Sequence, residues 1–191
     1  LLIISLPILF KTSYILDFWL EETPQYTTQF IQLSIFIVII EGISNPLITS
    51  IDATGKIKKY HSLNGCILLS IFPLSYIIIK LGGTPTSTYI IHLIISIIAY
   101  IVRIYIIQSI IKFSISQYFH SVLFKCIIIA LISSIIPYII SELLPDNFIY
   151  FLIYVICCII NTLFICFIIG LSKNEKQYIK QHILSFIQKS K

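Results

Sequence analysis

Apolar positions run along this chain in six long stretches, at about residues 1–16, 28–50, 62–80, 88–111, 120–140 and 147–171, with short polar segments between them. An α-helix needs roughly 20 apolar residues to cross the hydrocarbon of a bilayer. Each stretch qualifies or nearly so, the first reading as a helix cut short at its start. Short connections make sequence neighbours antiparallel. The pattern therefore predicts an all-α fold, a polytopic transmembrane helix bundle of about six membrane helices over residues 1–171. Residues 172–191 differ in kind: Ile179, Ile183 and Ile187 recur at helical spacing with lysines on other faces. That spacing predicts an amphipathic helix lying on the anionic inner leaflet, with a frayed, solvated end as the alternative.

Composition removes the soluble alternative. The chain is 58% hydrophobic and 11% charged, whereas a soluble domain carries about 25% charged residues. It contains no methionine and begins inside an apolar run, so it reads as a later portion of a longer polypeptide. Its five cysteines, Cys66, Cys126, Cys157, Cys158 and Cys166, lie in apolar surroundings without C-x-x-C spacing, where cysteine packs as a small hydrophobe. The four histidines are scattered. No metal, no other cofactor and no nucleic-acid partner is expected.

Charge sets the expected orientation. Lys56, Lys58 and Lys59 fall in one connection, Lys112 and Lys125 in another, and Lys173, Lys176, Lys180, Lys189 and Lys191 in the tail. The alternate connections hold Asp17, Glu21 and Glu22, then Lys80 alone, then Glu142 and Asp146. The positive-inside rule makes the lysine-rich sides cytoplasmic, with the C-terminus inside. Phe18, Trp19 and Tyr26 mark the outer boundary, and Tyr60, Tyr118 and Phe119 the inner one.

The segment "SIDATGKIKK" contains the end of what looks like a phosphate-binding loop. Such a loop needs G-x-x-x-x-G-K-[ST], with glycines that let backbone amides wrap phosphate. Here Ser50 stands where the first glycine belongs and Ile57 follows the lysine. The pattern is instead a helix end at Gly55, anchored by the lysines beyond it.

Ionisable groups inside a membrane are costly and mark function by default. Glu41 lies about fourteen residues into the second stretch and Arg103 about fourteen into the fourth, some 21 Å deep at 1.5 Å per residue. At 100° per residue, Ser34, Glu41, Asn45 and Asp52 share a face about 40° wide. His92, Ser96, Ala99 and Arg103 share another. Such stripes must face protein or water. In one reading they line an aqueous path, Arg103 attracting an anion and Glu41 pairing with it or exchanging a cation. In the other, Glu41 and Arg103 are a structural pair. His92 is a helix contact or a proton relay. Small residues at Cys126, Ala130 and Ser133 suit the fifth helix to close packing, while the sixth, with only Asn161 and cysteines, looks peripheral. Pro46, Pro73 and Pro137 favour kinks.

"LDFWLEETPQYT", "EGISNPLITSIDATGKIKKYHSLNG", "PLSYIIIKLGG", "ISIIAYIVRIYII" and the "GLSKNEKQYIK" tail together resemble the C-terminal half of bacterial polysaccharide flippases. These are the O-antigen or Wzx-type members of the multidrug/oligosaccharidyl-lipid/polysaccharide exporter superfamily. The resemblance implies the C-terminal lobe of a MATE-like two-lobe transporter in the bacterial inner membrane, with a missing N-terminal lobe as its partner. It implies translocation of polyprenyl-diphosphate-linked oligosaccharide by alternating access, with no enzymatic activity. The family's arginine in its "VRIY" context falls on Arg103, and "ATGK" on Ala53 to Lys56; Glu41 stands where aspartate is more usual. Two alternatives remain: a cation-coupled drug or small-molecule exporter of the same superfamily, which favours acids in its cavity, and a membrane-embedded glycan enzyme, for which the loops here are short.

Overall fold

The computed structural model describes every residue except Lys56, Lys112, Phe113, Ser172, Lys173, Ile179, Lys180 and residues 182–191, and at Lys59 the backbone alone. The tail isoleucines Ile179, Ile183 and Ile187 therefore lie outside the described residues. The described residues are helical with no strand among them: α1 (Leu2–Phe10), α2 (Thr12–Trp19), α3 (Thr27–Ala53), α4 (Ile57–Leu69), α5 (Ile71–Lys80), α6 (Thr86–Ile111), α7 (Ile115–Tyr118), α8 (Phe124–Leu143) and α9 (Phe148–Ile165). A π turn, Phe119–Leu123, joins α7 to α8, and a second, Cys166–Gly170, ends α9.

Among the described residues five spans are long and apolar enough to cross a membrane: Thr27–Ala53, Tyr60–Lys80, Thr86–Ile111, Ile115–Leu143 and Phe148–Gly170. Leu2–Phe10 with Thr12–Trp19 passes the same test as a bent pair, making up to six. By length and composition this is a multi-pass membrane protein. The predicted first helix is different. It extends to Trp19 and is broken into α1 and α2, bent by 77°. Side chains answer the carbonyls at the break, and Gln32 of α3 donates to Leu9 O at 3.3 Å. Thr12 turns its hydroxyl back onto the carbonyls of Ile8 and Leu9, satisfying the last turn of α1 without continuing it.

The chain divides into two compact units. The first comprises Leu1 and Ile8–Gln117, the second Leu2–Pro7 and Tyr118–Lys191. In the first unit α6 is the central helix, packed most extensively on α3 and also on α5 and α4. It buries Ile91, Ile95, Ser96, Ala99, Arg103, Ile104 and Ile107, so the polar stripe read on this helix is turned inward. Two contacts set α3 and α6 side by side with their N-terminal ends together. Thr86 donates its hydroxyl to Gln29 Oε1 at 2.9 Å, and Phe30 stacks on Tyr89 with centroids 4.9 Å apart.

Between α3 and α4 the chain reverses at the "ATGK" segment as a helix end. Thr54 and Gly55 donate their amides to the Ile51 and Asp52 carbonyls, and Gly55 takes φ +72°. This left-handed conformation is open to glycine at little cost. The span from Tyr60 to Lys80 is interrupted at Ser70, between α4 and α5. Pro73 has no amide for the Leu69 carbonyl, and Ser70 donates its hydroxyl to Ile67 O.

In the second unit α8 packs on α9. Tyr154, Cys158, Thr162 and Ile165 form the buried stripe of α9, and Ile129, Ser133 and Pro137 that of α8. The small residues at 126, 130 and 133 are buried or half-buried, as close packing requires. Asn161 is more than a residue on a peripheral helix. Pro137 lacks the N–H that would reach the carbonyl four residues back, at Ser133. The Asn161 side-chain amide donates to that same carbonyl at 3.0 Å. One helix thus closes the backbone defect of the other, the condition for tolerating proline within hydrocarbon.

Asn161→Leu is expected to destabilise the protein by about 1 kcal/mol in reversible micellar unfolding. In a Pro137→Ala background the backbone donor returns, and the loss should shrink by about 0.5 kcal/mol or more. Equal losses in both backgrounds would mean that Asn161 acts through packing alone.

Candidate functional site

The polar residues of the first unit gather into two places. The first surrounds Arg103, which is only 7% exposed. Its Nη2 donates to Asn64 Oδ1 at 3.3 Å, and its guanidinium carbon stands 5.7 Å from the centroid of the Tyr60 ring. Tyr60 is itself 2% exposed. It supports a cation rather than marking a lipid boundary, as the sequence suggested. Asn64 follows Tyr60 by one helical turn, so α4 presents both to the same stretch of α6. The buried Arg103 Nε has no hydrogen-bond partner. Ser44 on α3 and Ser96 on α6 are also buried with unpartnered hydroxyls.

The second place is a groove of about 450 Å³ lined by α3, α5 and α6. Glu41 and His92 are its titratable groups, and Ser34, Ser75 and Thr88 add hydroxyls among Ile37, Val38, Ile71, Phe72 and Tyr89. The Ser75 hydroxyl is buried and unpartnered. Glu41 is exposed along this groove and, among the described residues, makes neither an ion pair nor a side-chain hydrogen bond. It does not pair with Arg103. The two lie at nearby levels but on different sides, Arg103 turned toward α4 and Glu41 opening beside α5.

The remaining sequence candidates separate. Asn45 is exposed on α3, one turn beyond Glu41, and borders neither place. Asp52 sits in the last turn of α3 and pairs with His61 Nε2 at 3.2 Å, both side chains about half exposed; an exposed pair of this kind contributes little to stability. Lys58 is exposed at the start of α4, while Lys56 and the Lys59 side chain lie outside the described residues. Of the predicted α3 stripe, only Ser34 and Glu41 reach the groove. The buried polar residue of this helix is Ser44 instead.

Sequence reasoning missed Tyr60, Asn64 and Ser75. The signal for the first two was available: an aromatic and an amide at i and i+4 on the helix that follows the lysines. Their role required knowing that α4 packs on α6. Among the described residues no group of three or more histidine, cysteine or acidic side chains could hold a metal ion.

Comparison with protein-family models, curated proteins and solved structures finds no match.

Arg103 and Asn64 should behave as a coupled pair, and Arg103 and Glu41 as independent sites. Double-mutant cycles with Arg103→Leu are expected to give about 0.5 kcal/mol or more of coupling with Asn64→Leu, and less than that with Glu41→Gln. Coupling of the second pair as strong as the first would restore the structural ion pair.

Proposed function

We propose that the chain forms part of a carrier that moves an anionic lipid-linked glycan, a polyprenyl-diphosphate-linked oligosaccharide, from the inner to the outer leaflet of a bacterial inner membrane. The observation that supports this reading is the state of Arg103. A guanidinium buried within a membrane bundle is costly unless a compensating group is near. Here its compensation is neutral, an amide oxygen and a ring face, with one buried donor to spare. Among the described residues no carboxylate forms an ion pair with it. Such a cation is prepared to meet an oxyanion, and guanidinium is the side chain best matched to phosphate.

A diphosphate-linked sugar is large, charged and unable to cross hydrocarbon unaided. In this reading Arg103 meets the diphosphate, Ser44 and Ser96 offer further hydroxyls on the same helix pair, and the lipid tail stays in the bilayer. The lysine-rich connections face the cytoplasm, where the substrate is made, and a second lobe completes the cavity. The arrangement of motifs that resembles polysaccharide flippases points the same way. The groove beside Glu41 supports a second reading, export of an organic cation, since an unpaired carboxylate among Phe72 and Tyr89 suits such a ligand.

The test is sidedness. In cells deleted for the gene, polyprenyl-diphosphate-linked glycan should collect on the cytoplasmic face and be released on restoring the wild type. Arg103→Ala should lower transport by about tenfold or more, the loss of one charge-assisted contact, with membrane abundance unchanged. Equal loss of abundance and transport would make Arg103 structural. Unchanged glycan together with lost extrusion of cationic dyes would favour the second reading.

A further inference from the structure

The second unit carries a recess that the proposed transport path does not use. The buried stripe of α9 faces α8, which leaves Ile160, Leu163, Phe164 and Phe167 on the opposite side, all exposed. The span does not end as a regular helix. Its last turn is the π turn Cys166–Gly170, which is wider than an α turn, and Gly170 adds no side chain at the rim. The result is a hollow of about 770 Å³ bounded by Ile160, Leu163, Phe164, Phe167, Gly170 and Leu171, with Cys166 also in its wall. Its walls are apolar throughout, which suits a hydrocarbon chain and no polar ligand.

What sets this hollow apart from ordinary lipid-facing surface is the cation fixed beside it. Lys176, beyond the end of the span, donates its ammonium group to the Ile168 carbonyl at 2.7 Å. The same ammonium stands 5.8 Å from the centroid of Phe167, a wall of the hollow. The hydrogen bond answers a carbonyl at the end of the span, as lysine does at helix C-termini. It also immobilises a positive charge at the polar end of an apolar channel. A long side chain that would otherwise extend away from the span is held against its last turn. The nearest other charge in sequence, Glu175, borders a separate surface hollow with Leu171, Asn174 and Tyr178.

We infer that this is a binding site for an anionic glycerophospholipid of the surrounding bilayer, one acyl chain in the hollow along α9 and the phosphate on Lys176. The site is independent of the transport reading. It draws on the two properties that separate an anionic lipid from a zwitterionic one: both supply the acyl chain, but only the first leaves its net charge for the lysine.

The experiment uses the full chain, purified in detergent with an equimolar mixture of phosphatidylglycerol and phosphatidylcholine, with retained lipid counted by native mass spectrometry. Wild type should retain phosphatidylglycerol over phosphatidylcholine by about fivefold, the factor that one lysine contributes near an anionic lipid. Lys176→Gln should return the ratio to that supplied, and Lys176→Arg should keep the preference. Leu163→Trp, which fills the hollow from an exposed position, should reduce the retained lipid of both kinds while the helix content stays unchanged. Retention in the supplied proportion by the wild type would overturn the proposal. So would an unchanged preference in Lys176→Gln, or its loss in both lysine variants, which would make the lysine a cap for Ile168 alone.

Discussion

Hydrocarbon offers no hydrogen bonds, so every backbone carbonyl released from a helix must be answered by the protein itself. The irregular points of this structure follow from that constraint. Where α1 gives way to α2, the Thr12 hydroxyl closes the last carbonyls. Near Pro73, which frees the Leu69 carbonyl, the Ser70 hydroxyl turns back onto Ile67 O at the break between α4 and α5. Where Pro137 strips the Ser133 carbonyl of its donor, the replacement comes from another helix, through Asn161. At the last π turn it comes from Lys176. At the first break Gln32 of α3 also donates to the Leu9 carbonyl. The Asn161 contact ties the packing of α9 to the shape of α8, so that neither can change without opening a buried carbonyl.

The same constraint decides where side chains with charge can sit. Within the first unit, α6 turns Ser96, Ala99 and Arg103 inward, and the small residues among them let α3 approach closely. The Glu41 carboxylate of α3 opens onto the groove beside α5, while the guanidinium of Arg103 lies inside. Asn64 and Tyr60 then become its neighbours because α4 returns directly after the Gly55 turn, bringing its first two turns against the C-terminal half of α6. The geometry of one reversal therefore selects the partners of the buried cation.

The sequence made the long helices legible because each needs only a run of apolar residues, and a run is visible without knowing its neighbours. The end at Gly55 was legible for the same reason: a left-handed residue and a change from apolar to basic are both local. The inward stripe on α6 could also be read, since four small or polar positions at one angle have few other uses. Elements that depend on a second helix were not legible. The break at Lys11, between α1 and α2, coincides with the polar run Lys11-Thr12-Ser13, but the Gln32 side chain of α3 that answers its Leu9 carbonyl is not visible there. Asn161 looked incidental because its meaning resides in a proline 24 positions earlier on a different helix. The α3 stripe was read as one face with one environment. It is divided among a groove at Glu41, an exposed position at Asn45 and a surface pair at Asp52.

The separation of Glu41 from Arg103 is what gives the first unit two distinct chemical characters. Had the two formed a buried ion pair, each would have cancelled the other, and neither could change partner without leaving a bare charge in low dielectric. Held apart, the cation keeps a spare donor and the carboxylate keeps an open groove with an imidazole in it. An anion arriving at Arg103 needs no resident acid to be displaced first. It exchanges one amide contact and a ring face for a charged partner, a change that favours binding most when water is excluded. Glu41 meanwhile opens toward α5, where it lines the groove together with His92.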